Sequence, residues 1–437
     1  MSAPLSSRLT PLYREETPMD KKFARRICGG AALAVAATLA LAACSSGGGG
    51  SSGSGGSTTL KLVVADYGTG PANASAKYWD GIVTAFEKVH PDIKVNVTSI
   101  PWTNFDQEVQ TMIQNKQYPD ITEGDYFSNY AKDGLLYPAS DVLSDPANLL
   151  PAFKTQGTYS GTQYGMPFTT SSRTLFYNKK LFSQAGIGSA PQTWADVQAD
   201  AAKIKKLGDV GFGLPLGSEE AQAESLLWML GDGGGYQTSG KYTINSAPNV
   251  AAFTFLKGMV AAGDTEPNPG TVNRTDLWKE FAQGKVGMIN GSPALIPTIQ
   301  TAGVLTAADW TSVPIAGKSG PLATTLGVCD NVAAFKPNGH QAQIKEFLDF
   351  AYQDKYQVAF DKEYDLLPAT STATKALASD TVFAPFLTAL PQSVQYPSDT
   401  AWANVKTKIQ QTIGLAVTGS PSTELTQLQQ AATTSAS

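Results

Sequence analysis

From Leu60 onward the chain alternates strand and helix signals, and that alternation restricts its fold more than any other feature. Leu60–Gly68 reads LKLVVADYG, alternating and then continuously apolar before a glycine, which is a strand signal. Tyr78, Trp79, Ile82, Val83, Phe86 and Val89 recur at helical spacing until Pro91 stops them, predicting a helix over 78–89. Ile93, Val95 and Val97 alternate strictly and predict a second strand. Thr103 and Asp106 stand at capping-box spacing for a helix through Gln114, and Tyr118-Pro119-Asp120-Ile121 opens a third strand. Strand, helix, strand, helix, strand predicts an α/β domain on a largely parallel sheet.

A second α/β pattern follows Gly161. Residues 171–178 read as a strand, Thr193 starts a helix at Trp194, further helices are predicted at 219–230, 247–261 and 275–283, and 285–289 reads as a strand. No internal repeat of fixed period is visible. Only the Gly/Ser stretch before Leu60 and the Ser/Thr/Gln/Ala-rich tail after Gly419 read as low-complexity.

The amino terminus carries an address. Lys21, Lys22, Arg25 and Arg26 precede an apolar stretch from Ile27 to Ala43, the layout of a secretory signal. Met19 stands directly before this basic cluster and is an alternative start. The stretch is short and weakly apolar for a membrane span, which needs about 20 residues. Leu41-Ala42-Ala43-Cys44 resembles the lipobox of bacterial lipoprotein precursors. That resemblance implies removal of residues 1–43, acylation of Cys44 and a membrane anchor through the attached chains, with residues 45–59 as a flexible tether. With the leader removed, 26 Lys and Arg remain against 34 Asp and Glu, a formal net of −8. This balance, without a basic patch, excludes nucleic acid as a partner. Cys329 then has no intramolecular partner for a disulfide and is expected as a small core residue.

A set of short motifs extends the reading. They are Tyr118-Pro119-Asp120-Ile121 with Gly134-Leu135-Leu136, Tyr164-Gly165-Met166-Pro167, and Leu175-Phe176-Tyr177-Asn178-Lys179-Lys180-Leu181-Phe182 with Ala185-Gly186-Ile187. Pro191-Gln192-Thr193-Trp194, Phe281-Ala282-Gln283-Gly284-Lys285-Val286-Gly287-Met288 and Phe347-Leu348-Asp349-Phe350 follow. In order and spacing they resemble the extracellular solute-binding proteins of ATP-binding-cassette sugar importers, the family that includes maltose-binding protein. The match runs from about Leu60 to Gly419. It implies a two-lobed, type II periplasmic-binding-protein-like α/β fold with residues 60–168 and 328–368 in the amino-terminal lobe. Residues 169–327 and 369–437 would form the carboxy-terminal lobe. Crossings between lobes would lie near 169–171, 325–331 and 367–369, and ligand would sit between the lobes, where loops at strand ends converge.

The resemblance and the chemistry of sugars together nominate contacts. Sugar hydroxyls want carboxylates, amides and Arg, and the C–H face of a pyranose wants an aromatic plane. Asp125 and Tyr126 follow the third strand, Ser171 lies at the first crossing, and Arg173 is on the same strand face. Trp228 is the expected stacking plane, with Gln222 and Glu224 as weaker polar candidates on its helix. Gly291 and Ser292 match the family's loop after a strand, although Pro293 stands where maltose-binding protein has tryptophan, which weighs against a maltodextrin. Asp330 and Asn331 follow the second crossing, Asp330 either as a ligand contact or as a buried partner of Arg173. Trp402 matches another cleft aromatic, and Trp102 either staples the helix after it or faces the cleft.

The expected function is capture of a neutral mono- to oligosaccharide and its delivery to permease subunits of an importer, by a monomer anchored outside a Gram-positive-type cell. Cofactors and metals are not expected. A surface-anchored polysaccharide hydrolase is the competing class, since paired carboxylates such as Glu219 and Glu220 could perform glycoside chemistry. Only His90 and His340 are present, both in loop contexts, so a His triad or His-rich metal site is not supported. A non-sugar ligand such as a polyol or polyamine is the other alternative.

Overall fold

The computed structural model describes residues 57–436 apart from 69, 127, 381, 382, 384, 385, 388 and 389. The expected leader, Cys44 and nearly all of the tether lie outside the described residues. The first strand begins at Thr58, so the last two residues assigned to the tether are sheet. No helix among the described residues is long and apolar enough to cross a membrane.

Two sheets organise two lobes. The first has six strands in the order Leu367–Pro368, Met166–Ser172, Gly327–Ala334, Ile121–Gly124, Thr58–Asp66, Ile93–Pro101. Thr58–Asp66 runs parallel to both of its neighbours, as the strand–helix–strand pattern demands. The other half of the sheet is antiparallel, because Gly327–Ala334 enters beside both Ile121–Gly124 and Met166–Ser172 in the opposite sense. The largely parallel expectation is corrected there: a strand returning from the far lobe enters the sheet from its opposite end. Helices Ser75–Val89 and Gln341–Ala351 pack on this sheet, and Trp79, Phe86, Phe168, Phe347 and Phe360 fill the core between them.

The second sheet has four strands in the order Trp310–Val313, Thr174–Asn178, Val286–Gly291, Val210–Gly213, and only the last pair is parallel. What reads in the sequence as one strand at 171–178 is divided. Met166–Ser172 belongs to the six-stranded sheet and Thr174–Asn178 to the four-stranded one, leaving Arg173 alone at the seam. Thr193 caps the helix Trp194–Lys205 through a reciprocal box with Asp196, and helices Ala221–Leu230 and Ala247–Ala262 pack on each other.

Two local readings change. Asp106 does not cap its helix: Asn104 is the N-cap, without a side-chain bond, and the Asp106 carboxylate is used elsewhere. The tail after Gly419 is not low-complexity coil. It forms the helix Pro421–Ala436, with Leu425, Leu428 and Ala432 on a buried stripe against Trp402–Thr412. Leu425, Leu428 and Ala432 recur at intervals of three and four, the periodicity of one helix face, beneath a composition that looks polar.

Candidate functional site

The carboxyl ends of strands Thr58–Asp66 and Ile121–Gly124, the seam at Arg173 and the second turn of helix Trp402–Thr412 supply polar groups that converge between the two sheets. Their placement follows from local chemistry. Gly124 ends its strand at φ 148°, and a Cβ there would meet the Phe105 ring at 2.5 Å, so only glycine lets the chain turn and present Asp125. Lys406 lies one helical turn beyond Trp402, on the same face. Helix Trp402–Thr412 packs on Ala221–Leu230 in the second lobe, whereas Asp106 and Asp125 belong to the first.

Lys406 joins them. Its ammonium donates to Asp106 at 2.5 Å and also to Asp125. Burial lowers the Lys406 pKa, but the two carboxylates more than offset this and keep it charged. Asp125 is pushed up from the usual carboxylate range by burial and by the adjacent Asp106, against the pull of Lys406. Removing the ammonium in Lys406→Met leaves two facing carboxylates. Breaking a buried pair costs about 3–5 kcal/mol, and because both carboxylates are about one quarter exposed the expected loss is about 2 kcal/mol. Urea unfolding of the variant checks this, and an unchanged midpoint and slope would remove Lys406 as a tie between lobes.

A second group centres on Arg173. It donates through Nη1 to Ser171 Oγ at 2.8 Å and through Nη2 to Glu220 Oε1 at 2.6 Å. Arg274 donates to Glu220 Oε2 at 2.6 Å and to Glu219 Oε1 at 2.7 Å, and its guanidinium lies 4.6 Å from the Trp278 ring centroid. Burial pushes Glu220 up, but Arg173 and Arg274 outweigh it and hold the carboxyl below its usual range. Glu219 and Glu220 are therefore fixed ion-pair partners. Glu220, held ionised in this way, is not set up as the proton donor that glycosidic cleavage needs.

A third group is Tyr67, Glu123 and Asp330. The Tyr67 hydroxyl lies 2.6 Å from Glu123 Oε1 and 3.0 Å from Asp330 Oδ2. Burial, with Asp330 nearby, holds Glu123 well above the usual range, and burial likewise pushes Asp330 up to about 6. Asp330 accepts from Tyr67 and makes no direct ion pair with Arg173, which bonds Glu220, although Arg173 and Lys406 both lie within electrostatic reach and pull its carboxyl down. Trp102 meets the Tyr67 ring edge-on at 5.3 Å and the Phe105 ring at 5.5 Å, so it packs against the first residue of the helix that follows.

Several nominated residues are placed elsewhere. Trp228, expected as a plane for the ligand, is 4% exposed and surrounded by Trp194, Phe212 and Phe255 at ring separations of 5.9, 5.2 and 5.8 Å. Its indole N–H donates to Glu224 at 2.7 Å, so the residue is core and offers no open face. Gly291 ends a strand, packed close to Phe176 and Leu295, and Ser292 is buried in the turn before the helix Leu295–Ala302. Gln222 is buried, its carbonyl accepting from the Tyr236 hydroxyl at 2.7 Å while its side-chain oxygen has no protein partner. Asn331 is buried and donates to the Cys329 carbonyl at 3.2 Å. Trp402 stacks on Tyr396 at 5.4 Å and 22°, with Tyr236 on its flank, so one face is committed to packing. Tyr126 lies over Gly165, with its hydroxyl unpartnered.

Asp125, Ser171, Arg173 and Asp330 thus gather around one interlobe region, together with Tyr67, Glu123, Glu220, Tyr396 and Lys406, which sequence reasoning did not nominate as ligand contacts. Signals for three of these were present. Tyr67 stands at the carboxyl end of the first strand, where ligand loops of α/β sheets gather. Glu123 interrupts a short buried strand with a charge, and Lys406 shares a helix face with Trp402.

Comparison with known proteins places this architecture. A solute-binding protein of an ABC transporter from Thermotoga lettingae, solved with alpha-D-tagatose bound, superposes with a TM-score of 0.78 at 20% identity, covering 87% of this chain and 100% of its own. A protein of Brucella abortus named as a binding protein is 28% identical over 364 residues, 79% of this chain and 85% of its own. The diacetylchitobiose binding protein of Streptomyces coelicolor is 26% identical over 291 residues, 63% of this chain and 66% of its own. Residues 70–358 match the model of the bacterial extracellular solute-binding proteins, well over half of the sequence, and the chain belongs to that family.

Proposed function

We propose that this protein captures a neutral mono- to oligosaccharide outside the cell and delivers it to the permease of an ABC importer. The observation that carries the reading is the convergence, between the two sheets, of carboxylates and an arginine with the Tyr67 and Tyr396 hydroxyls, the polar groups that sugar hydroxyls require. Family membership supports a binding role in transport over catalysis. The commitment of Glu219 and Glu220 to two arginines weighs in the same direction against a hydrolase. Acylation at Cys44 would hold the protein at the membrane, and the ligand, touching groups from both lobes, would shift the population toward closure.

A thermal-shift screen of residues 45–437 tests this with neutral sugars, amino sugars, sugar alcohols, amino acids and polyamines. A carbohydrate at one hundred times its Kd stabilises by about 2.7 kcal/mol. A rise in Tm that saturates with one carbohydrate is the expected result. Slow cleavage of a glycan without any such shift would replace the reading with the hydrolase, and a shift from a polyol alone would move the ligand class.

A further inference from the structure

Among the described residues, one side chain alone makes ion pairs that cross from lobe to lobe. Lys406, on the second-lobe helix Trp402–Thr412, pairs with Asp106 and Asp125 of the first lobe. The remaining pairs close within a lobe or, for Arg173, start at the seam between the sheets. On this helix Val405 and Ile409 belong to the second lobe's core and Asn404, Thr407 and Lys408 are exposed, whereas the Lys406 side chain is 5% exposed and meets the first lobe. The helix packs on Ala221–Leu230 and Pro421–Ala436, Asp106 lies in the first turn of helix Phe105–Gln114, and Asp125 directly follows strand Ile121–Gly124. All three charges therefore ride on regular elements, and their pairs part when the lobes part.

The first lobe brings no cation of its own to these carboxylates. Lys406 is the ion-pair partner of both among the described residues, and the charge of Asp106 opposes ionisation of Asp125. Separated lobes leave like charges side by side on one and an ammonium on the other, so closure delivers the charge that relieves the repulsion. Asp330 and the Tyr130 hydroxyl also lie within electrostatic reach of Lys406. A second observation concerns what closure costs. Tyr396 is 8% exposed with its hydroxyl unpartnered, within electrostatic reach of Glu220 in the second lobe and Asp125 in the first. A buried phenol without a partner costs free energy, and an interface that carries one needs an offset already present in the protein. The Lys406 pairs supply that offset at the same place.

We propose that Lys406 is a latch between the lobes: its pairs with Asp106 and Asp125 raise the closed population before any ligand arrives, and capture passes through an opening in which they break. Asp125, expected from the sequence as a sugar contact, is then a seat of the latch, and a ligand that uses it has to displace the ammonium first. The latch goes beyond the carbohydrate reading and is independent of which ligand the cleft takes.

Pulsed electron–electron resonance on the full chain in mild detergent, without added ligand, tests it. Nitroxides are placed at Lys132→Cys in the first lobe and Lys408→Cys in the second, both exposed positions, in a Cys28→Ser, Cys44→Ser background that leaves the buried Cys329 as the remaining native thiol. With Lys406 intact, a short-distance population is expected. Lys406→Met, shown to be folded by its urea transition, should raise the ratio of long to short distances ten-fold or more, and Lys406→Arg, which keeps the charge, should stay within about three-fold of the parent. Asp125→Asn takes the place of Lys406→Met if that variant does not fold, with a shift in the same direction expected. A parent already at the long distance, or a distance distribution that Lys406→Met leaves unchanged while its urea midpoint falls, overturns the latch and leaves Lys406 a stabilising residue alone. A Lys406→Arg variant as open as Lys406→Met overturns it as well, because charge would then not be what holds the lobes.

Discussion

Trp228→Ala is expected to lower the stability of the protein by about 4 kcal/mol, the range for removing a buried aromatic, and to lower Tm by about 5 °C for a chain of this size. The large effect has two sources. Truncation opens a cavity among Trp194, Phe212 and Phe255, and it removes the N–H that donates to Glu224, leaving a buried carboxyl with one fewer donor. Trp228→Phe separates them, keeping most of the packing while losing the donor, and should cost about 1–2 kcal/mol. Neither substitution should abolish ligand binding once the variant is folded. Thermal unfolding with and without a bound carbohydrate reads both quantities. An unchanged Tm in Trp228→Ala together with loss of the ligand-induced shift would return the indole to the role of a ligand plane and remove it from the core.

The second large effect is a pH dependence centred on Glu224. The residue is 4% exposed, accepts from Trp228 Nε1 at 2.7 Å and from Asn290 Nδ2 at 2.9 Å, and has no cationic partner among the described residues. Burial raises its carboxyl to about 8, against the pull of those two donors. The folded state therefore retains a proton that the unfolded state has released between pH of about 4.5 and 8, so this group's contribution lowers stability as pH rises through that window. A displacement of this size corresponds to about 3–5 kcal/mol across the window. In Glu224→Gln the amide keeps an oxygen to accept from Trp228 and Asn290 and cannot ionise. The variant should thus gain on the wild type by that amount between pH 4.5 and 8. Urea unfolding at five or six pH values measures the difference. Parallel stability curves would mean that Glu224 is ionised throughout, which its surroundings give no cation to support.

Trp228 and Glu224 explain why the site was only partly legible. Their helix is identifiable from apolar content alone, but Ala221–Leu230 is buried on nearly every face. Periodicity reveals the inward side of a half-exposed helix and loses that power when no side is exposed. A tryptophan on such a helix reads equally as ligand plane or core, and only the rings of Trp194, Phe212 and Phe255 around it decide. Asp106 shows the same limit. Its spacing from Thr103 suits a capping box, yet a cation three hundred residues later in the chain holds its carboxylate instead.

The sequence by itself determined the class of fold, most of the elements and the family, because strand alternation, helical spacing, turn glycines and short ordered motifs are local and survive without knowledge of the partner. It also pointed to Asp125, Ser171, Arg173 and Asp330, since strand ends and lobe crossings are where an α/β protein gathers polar groups. The tertiary structure decided which polar groups meet: Lys406 with Asp106 and Asp125, Arg173 with Glu220 rather than Asp330, and Tyr67 between Glu123 and Asp330. Ion pairs and shared protons form between residues far apart in the chain, and their partners are selected by distance and burial, quantities that no local pattern of residue types contains.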